Sequence, residues 1–478
     1  MNENKNIYVG LDIGTTKIAC IVGRVTNDKR NKIEILGFGR AESKGVSRGL
    51  VTNIDDTVES IKEAVAIAKE QVGDSVNISK VTVGIAGQHI ISNTHHGLYM
   101  RDDATTEITA EEVEKLRKET YKIEVQPGEE IIDVIAQEAF VDGEPCTNPK
   151  GMCGHKLEVN YHVIIARAQS VRNIKRCIER AGLELENLIL EPIASADAVL
   201  VDEELEAGVA LIDIGGGTTD LAIFHENRLY HTAIIPMGGE LITKDIMTGC
   251  HIIRKYAEAV KVKYGSALET KNRADELVSI PGIKGHEPKE ISFKILSGII
   301  EARLTEIFTA ANAHIQRIHN ERPLNGGIVL TGGGSLMNDV TDLLKYITGM
   351  DVRIGLPNEH TENNDVMKNL SNPMYSTGIG LILESIARDE AKNKARKREQ
   401  MTEAPQQVAI EPETPMTTGN VGNDSVEVEP EIVVVPDTDD SIPVRDKAPD
   451  DDKGKRSILD IVKDAAFKFF NNITEDVD

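Results

Sequence analysis

The sequence predicts an α/β protein made of two duplicated lobes, and three observations support this fold class. The first is an internal repeat, because residues 9–19 read VGLDIGTTKIA and residues 210–222 read ALIDIGGGTTDLA. In both copies an apolar strand ends at an aspartate, turns on glycine and threonine and returns as a second apolar strand, a pattern typical of a β-hairpin. The second is the helical spacing of apolar residues in segments such as Ile54–Val72. The third is the length of 478 residues, which exceeds what one hydrophobic core supports.

Changes of pattern along the chain divide it into lobes, insertions and a tail. The predicted boundaries are lobe I, 1–86 and 169–207; a first insertion, 87–168; lobe II, 208–250 and 326–390; a second insertion, 251–325; a disordered acidic linker, 391–455; and a terminal amphipathic helix, 456–478. The first insertion has strand-like stretches on both sides of a predicted helix at 109–121. The second is predicted to be mostly helical, with a strongly periodic helix at 291–318.

Composition excludes several classes of protein. The formal net charge of −24 argues against a nucleic-acid partner, because phosphate contact requires a basic surface. Five scattered cysteines, an odd number, argue against a disulfide framework and favour a reducing compartment. The polar start at 1–6 leaves no room for a secretory signal, and no apolar run approaches the roughly 20 residues of a membrane-spanning helix. We therefore expect a cytoplasmic protein with at most peripheral membrane contact.

The tail combines a predicted linker with a predicted membrane helix. From residue 391 the chain is basic and then rich in Pro, Asp, Glu and Thr, which predicts disorder. Beyond it, Ser457 and Asp460 form a capping pair for a helix whose apolar residues share one side. The predicted membrane contacts are Ile458, Leu459, Ile461, Val462, Phe469, Phe470 and Ile473, with Lys455 and Arg456 facing anionic headgroups. Docking of this face onto a protein is the alternative.

The two hairpin turns predict a polyphosphate site with magnesium. Phosphates need backbone N–H donors at close range, and small residues permit this approach. The predicted phosphate-binding residues are Gly14, Thr15, Thr16 and Lys17 in the first hairpin and Gly215, Gly216, Gly217, Thr218 and Thr219 in the second. Asp12 and Asp213, at the strand ends, are placed to hold a hydrated magnesium ion. The alternative is that both aspartates only cap turns.

A third glycine cluster predicts the site of a nucleoside. Residues 326–337 read GGIVLTGGGSLM, a pattern of buried strand, tight turn and helix. Gly332, Gly333 and Gly334 would leave room for a base or a ribose. We therefore expect ATP as the ligand.

These motifs resemble the superfamily of actin, sugar kinases and heat-shock chaperones, whose members have two phosphate loops and an adenosine loop in this order. Within it the sequence is most similar to the FtsA family of bacterial cell-division proteins, through 45–49 (GVSRG), 191–195 (EPIAS), 236–239 (PMGG) and the terminal helix. The similarity spans roughly residues 7–388. It implies an actin-like (ribonuclease-H-like) ATPase fold in which the lobe cores are subdomains IA and IIA and the insertions are IC and IIB.

The resemblance also implies roles for single residues. Gly238 and Gly239 would contact phosphate or ribose, and Glu258 with Lys261 would contact the adenosine. Glu191 precedes Pro192 at a strand end and would orient a water molecule for attack on the terminal phosphate; the alternative is a helix-capping role. The region of Lys294 and Arg303 would receive the acidic C-terminal peptide of the tubulin-like protein FtsZ.

The expected function is that of an adaptor. The resemblance implies an ATP-binding protein that polymerises, tethers the FtsZ ring to the cytoplasmic face of the cell membrane at the division site, and recruits later division proteins through the first insertion. It would be at most a slow ATPase. The alternatives are a small-molecule kinase of the sugar-kinase type and a pilus-assembly scaffold of the same superfamily.

Overall fold

The computed structural model describes residues 7–26, 32–73, 76–271, 276–282, 287–358, 360–362 and 364–402. All of them belong to one compact unit, 1–405, and the second unit, 406–478, lies outside the described residues. The predicted terminal helix at 456–478 and most of the predicted linker therefore lie outside as well. Within the described part, no helix combines the length and apolarity needed to cross a membrane.

Strands and helices alternate along the chain. The strands are β1 (Ile7–Ile13), β2 (Lys17–Val25), β3 (Ile33–Glu42), β4 (Val46–Ser47), β5 (Leu50–Val51), β6 (Lys80–Ile85), β7 (Ile90–Met100), β8 (Glu129–Val141), β9 (Glu144–Cys146), β10 (Lys156–Arg167), β11 (Glu184–Leu190), β12 (Val209–Ile214), β13 (Thr219–His225), β14 (Arg228–Ile235), β15 (Leu277–Ile280), β16 (Lys289–Ser292), β17 (Ile328–Thr331) and β18 (Val352–Ile354). The α-helices are α1 (Ile54–Val72), α2 (Ala110–Thr120), α3 (Ala168–Arg180), α4 (Glu191–Val199), α5 (Asp202–Ala207), α6 (Gly239–Cys250), α7 (Arg254–Tyr264), α8 (Phe293–His319), α9 (Val340–Thr348), α10 (Asp365–Leu370) and α11 (Ser376–Thr402). Three 3₁₀ turns lie at Glu269–Lys271, Gly333–Leu336 and Pro373–Tyr375.

The duplication predicted from the repeat is confirmed by the sheet topology. Lobe I has the strand order β11-β6-β1-β2-β3, and lobe II has the matching order β18-β17-β12-β13-β14. In each sheet the hairpin strands are antiparallel, and the strand on the other side of the first hairpin strand is parallel to it. The same five-stranded unit therefore occurs twice, as expected of an actin-like fold.

A shared apolar layer joins the two sheets. It includes Ile21 of β2, Leu211 of β12 and Ile379 of α11, all fully buried. Helices α4 and α11 cross within this layer, and a Cβ on Gly380 would overlap the Ala194 carbonyl. Glycine at this crossing permits the backbones of the two helices to come into direct contact.

The first insertion is a separate antiparallel sheet that also bonds to lobe II. Its strand order is β7-β10-β8-β9, and α2, which begins with a capping box at Thr109, packs on it. The amide of Gln137 donates to the Leu229 carbonyl at 2.8 Å, and the Ser92 hydroxyl donates to the Thr232 carbonyl at 3.1 Å. The insertion is therefore attached to lobe I by the chain and by burial of Ile90, Ile164 and Ala166 in the lobe I core, and to strand β14 of lobe II by hydrogen bonds.

The second insertion shares the core of lobe II. Helix α8 packs on α6 and buries Ile300 and Phe308 completely. The helix predicted at 291–318 begins two residues later, because Ile291 pairs in strand β16 and the Ser292 hydroxyl caps the helix by accepting from the Lys294 N–H. The insertion also contains the hairpin β15–β16, so it is less uniformly helical than predicted.

The linker predicted from residue 391 begins too early. Helix α11 continues to Thr402, so the first residues of the predicted linker are helical. The segment after 391 is rich in Ala, Lys, Arg, Glu and Gln, which are strong helix formers, and the next proline is Pro405. High charge alone therefore does not mark the end of the folded unit in this chain.

Candidate functional site

The two glycine hairpins lie opposite each other and touch at their tips. A Cβ on Gly217 would overlap the hydroxyl of Thr15, and a Cβ on Gly216 would overlap the side chain of Thr16. Only glycine therefore allows the lobe II tip to approach the lobe I tip this closely.

A cavity of about 60 Å³ lies between the tips. The predicted site residues that line it are Asp12, Gly14, Thr15, Thr16, Lys17, Glu191, Asp213, Gly215, Gly216, Gly217, Thr218, Gly332 and Gly333. The others, which do not line it, are Thr219, Gly238, Gly239, Glu258, Lys261 and Gly334. Pockets for small molecules start at about 300 Å³, so this cavity by itself is too small for a whole nucleotide.

Four carboxyl groups surround this cavity, and their mutual repulsion shapes its chemistry. Asp12, Asp213 and Asp220 are each less than a tenth exposed. Burial raises the pKa of Asp213, and burial together with the neighbouring Asp213 raises the pKa of Asp220 well above its ordinary range. A cation in the cavity would relieve this repulsion.

Asp213 is held in place by two hydroxyls that sequence reasoning missed. Ser195 of α4 donates to Asp213 Oδ2 at 2.7 Å, and Thr377 of α11 donates to the same oxygen at 3.2 Å. Ser195 could have been found, because it belongs to the family motif at 191–195. Thr377 could not, because it lies far along the chain and belongs to no motif. Both hydroxyls therefore orient the carboxylate through its Oδ2 atom.

Asp220 is a further residue of the site that was not predicted. It pairs with Asp213 across the β12–β13 hairpin, and its Oδ1 is buried without a hydrogen-bond partner among the described residues. An orphaned carboxylate oxygen beside other carboxylates fits a divalent cation. In the described ranges no three acidic, His or Cys side chains are arranged to ligate a metal directly.

Lys17 neutralises part of the acidic cluster. Its Nζ lies 3.1 Å from Asp12 Oδ2. Burial lowers the pKa of Lys17, but the charge and hydrogen bond of Asp12 together with the charge of Asp213 outweigh it, and the net shift is upward. A phosphate in the cavity would compete with Asp12 for this cation.

Glu191 opens helix α4 at the wall of the same cavity. A Cβ on Gly84 would lie 2.8 Å from its Cγ, so β6 packs directly against this side chain. Burial, and then the charge of Asp12, raises the pKa of Glu191 well above the ordinary range of a glutamic acid. Glu191 is both an acid in the first turn of a helix and a residue that lines the cavity between the two glycine hairpins, so its position fits both predicted roles.

The start of helix α6 closes over the second hairpin. The Gly239 N–H donates to the Gly215 carbonyl at 3.0 Å, and a Cβ on Gly238 would lie 2.7 Å from the same oxygen. Lys261 Nζ donates to the Gly239 carbonyl at 3.0 Å and to Glu258 at 2.8 Å. The structure therefore brings these four predicted residues together at one end of the second hairpin.

The third glycine cluster has the predicted order of strand, turn and helix. Strand β17 is followed by the 3₁₀ turn at Gly333–Leu336 and then by α9. Gly332 has a φ of 81°, and a Cβ there would overlap Asp213 Oδ1. Gly333 has open space around its Cα, since the nearest atom to an added Cβ would be Met374 Cβ at 4.0 Å. This loop thus covers the acidic cluster while leaving room beside it.

A larger cavity of about 350 Å³ adjoins the same hairpin. Its lining comes from both lobes and consists of Ser47, Arg48, Gly216, Gly217, Glu240, Leu241, Thr243, Lys244, Met247 and Arg254. The two cavities meet at Gly216 and Gly217.

The two residues predicted to bind the FtsZ peptide differ in how strongly each is already paired with a carboxylate of this chain. Arg303 forms a two-point ion pair with Asp245, at 2.6 and 3.1 Å. Lys294 is about half exposed and lies 3.7 Å from Glu269, a distance too long for a strong bond. An incoming carboxylate would therefore engage Lys294 more readily than Arg303.

Sequence comparison places the chain in a family. The model described as "Cell division protein FtsA" matches residues 210–380, and that described as "SHS2 domain inserted in FTSA" matches residues 87–165. The cell division protein FtsA of Pseudomonas aeruginosa is 38% identical over 382 residues, which cover 80% of this chain and 89% of that protein. The cell division protein FtsA of Bacillus subtilis is 36% identical over 383 residues, which cover 80% of this chain and 84% of that protein.

Structural comparison agrees on the fold. A chain of the PilM–PilN type IV pilus biogenesis complex superposes with a TM-score of 0.56 at 17% identity, over 79% of this chain and 98% of that one. This likeness concerns the fold alone, whereas the extent and level of sequence identity settle the family. The chain belongs to the FtsA family of cell-division proteins and has their actin-like fold.

Proposed function

We propose that this division protein binds ATP with magnesium between its two lobes. The observation that carries the proposal is the pair of glycine hairpins meeting over the acidic cluster of Asp12, Asp213 and Asp220. The hairpin N–H groups and Lys17 would bind the phosphates, and the carboxylates would hold magnesium through water. The glycines at 238–239 and 332–334, with Glu258 and Lys261, would contact the nucleoside.

Hydrolysis would be slow and secondary to assembly. Glu191 is the residue placed to orient a water molecule, but burial and the charge of Asp12 raise its pKa and so favour its protonated form, which is the weaker base. Magnesium held in the cluster would add positive charge there and favour the ionised carboxylate. Nucleotide would then serve mainly to fix the lobe geometry in which copies of the chain polymerise.

We further propose that polymers of the chain tether FtsZ to the cytoplasmic face of the cell membrane at the division site. Lys294, beside Ile295 with 60% of its surface exposed, would bind the acidic FtsZ peptide, with Arg303 contributing once released from Asp245. The helix predicted at 456–478 would attach the polymer to anionic lipid through its apolar face. The first insertion would bind later division proteins.

Co-sedimentation with anionic liposomes tests the proposal. The full chain and a chain ending at Arg456 are compared with and without ATP, magnesium and the FtsZ C-terminal peptide. We expect truncation to abolish membrane binding while ATP and peptide binding persist. Equal sedimentation of the truncated chain would refute the membrane anchor, and absence of ATP binding in both chains would refute the nucleotide site. Turnover of sugars with ATP would favour the kinase instead.

A further inference from the structure

An arginine occupies a strained position in a turn beside the second phosphate hairpin. Strands β4 and β5 are joined by Arg48 and Gly49, whose φ angles are 47° and 73°. Two positive φ angles define a type I′ hairpin turn, where Asn and Gly are the favoured residues. Arginine at positive φ is disfavoured by its Cβ, so this choice of residue is not explained by the stability of the turn.

The turn lies directly against the tip of the lobe II hairpin. A Cβ on Gly217 would lie 2.9 Å from Arg48 Cα, so nothing larger than glycine fits there. Gly49 lines the small cavity together with Glu191, while Arg48 lines the larger one. Arg48 is thus a lobe I residue that stands where the two cavities meet on lobe II.

The position on the hairpin indicates which part of a nucleotide this arginine meets. Gly215, at one end of the three-glycine turn, accepts from Gly239 on the side of Lys261, where the nucleoside is proposed. Gly217, at the other end, contacts Arg48. A phosphate chain that runs from the Lys261 side of the turn towards Gly217 would end beside Arg48.

The charge around Arg48 is opposite to that of the whole chain. The chain has 54 basic and 78 acidic residues, yet the described residues that line the larger cavity include Arg48, Lys244 and Arg254 but a single carboxylate, Glu240. That carboxylate is paired with Arg254 at 2.6 Å. Among the described residues, neither Arg48 nor Lys244 has a side-chain hydrogen bond or ion pair. Two uncompensated cations, one from each lobe, favour an anion between them.

We propose that Arg48 binds the terminal phosphate of ATP from lobe I while the Gly217 turn binds it from lobe II. This inference rests on the proposed nucleotide site and adds to it the residue that distinguishes ATP from ADP. Loss of the terminal phosphate removes the anion shared by the two lobes and releases the contact between them.

The substitution Arg48→Asn tests the proposal without threatening the fold. Asparagine tolerates positive φ, so the turn is retained and thermal stability should hold or rise. We expect the Kd for a non-hydrolysable ATP analogue to rise by about tenfold or more, as for loss of a charge-assisted hydrogen bond, while the Kd for ADP stays within about twofold. Arg172→Asn, which removes an exposed arginine from α3, is the matched control and should change neither constant.

The outcomes separate this inference from the proposed function. If Arg48→Asn leaves the Kd values for the ATP analogue and for ADP unchanged, or raises them equally, Arg48 does not bind the terminal phosphate, although the ATP site stands. If the unsubstituted chain binds neither nucleotide, the ATP site and the role of Arg48 both fail. Arg48→Lys should retain part of the preference for the ATP analogue, since it keeps the charge but loses the two-point geometry of the guanidinium.

Discussion

Asp213 illustrates how single residues in this molecule depend on partners remote in sequence. Its Oδ2 accepts from Ser195 and Thr377, which come from two different helices, and Gly332 leaves space for its Oδ1. The motif around Asp213 correctly predicted a β-hairpin because strand, turn and strand are local in sequence. The hydroxyls that orient the carboxylate come from the packing of α4 and α11, which no local pattern encodes.

The acidic cluster makes the stability of the ligand-free protein depend on pH. A carboxyl whose pKa is raised in the folded state binds its proton more tightly there than in the unfolded chain. Its contribution to stability is therefore complete below the ordinary pKa of a glutamic acid and is lost as pH rises through the raised value.

For Glu191→Gln we accordingly predict a stability gain that grows with pH. The free energy of unfolding, from urea denaturation without nucleotide, should match that of the unsubstituted protein at low pH and exceed it above the raised pKa. The buried histidines, such as His162, shift the curves of both proteins alike and cancel in the difference. A difference independent of pH would mean that the pKa of Glu191 is the same in the folded and unfolded protein, which would contradict the prediction.

At the scale of elements, the crossing of α4 and α11 is set by glycine. Gly380 faces the Ala194 carbonyl without room for a methyl group, whereas in α8 the nearest atom to a Cβ on Gly298 would be Glu269 Oε2, at 3.3 Å and at the end of a flexible side chain. Replacement of glycine by alanine should therefore change the free energy of unfolding in opposite directions at these two positions.

We predict that Gly380→Ala destabilises the fold by about 1–3 kcal/mol, because the added methyl group forces the two helices apart. Gly298→Ala should stabilise it by up to about 1 kcal/mol, the difference in helix propensity. Chemical denaturation of both variants measures the two values. A neutral effect at 380 would contradict the close crossing.

The elements differ in how far the sequence could predict them. Helix α1 matches its predicted range because its apolar spacing is regular, and the two hairpins match because their turns carry their own signals. The hairpin β15–β16 and the extension of α11 to Thr402 were missed. The first is short and weakly patterned, and the second is a charged helix whose composition resembles that of a linker. The turn at Arg48 is visible in the sequence only as part of a family motif, since its importance lies in contact with the other lobe.

At the scale of the whole molecule, net charge limits how the proposed membrane attachment could occur. A chain of charge −24 is repelled by anionic lipid, so the proposed attachment would depend on burial of apolar residues in the predicted terminal helix. One such helix binds weakly, but a polymer presents many, and linked binding can raise avidity by roughly 10²–10⁴.

We predict that liposome binding by the full chain is steeply dependent on protein concentration with ATP and shallow without it. Sedimentation across a concentration series, with light scattering to report assembly, measures both dependences. Identical curves with and without ATP would show that attachment does not require polymerisation.

The first insertion has hydrogen bonds to β14, and β14 is paired along its length with β13, the second strand of the lobe II glycine hairpin. Its chain connections, however, run to lobe I, and its residues Ile90, Ile164 and Ala166 are buried in the lobe I core. If the lobes part to admit a ligand, the insertion cannot keep its position relative to both. Either its hydrogen bonds to Leu229 and Thr232 break, or its packing on lobe I shifts. A protein bound across the insertion and the lobe from which it moves would then respond to the filling of the cleft without contacting the ligand.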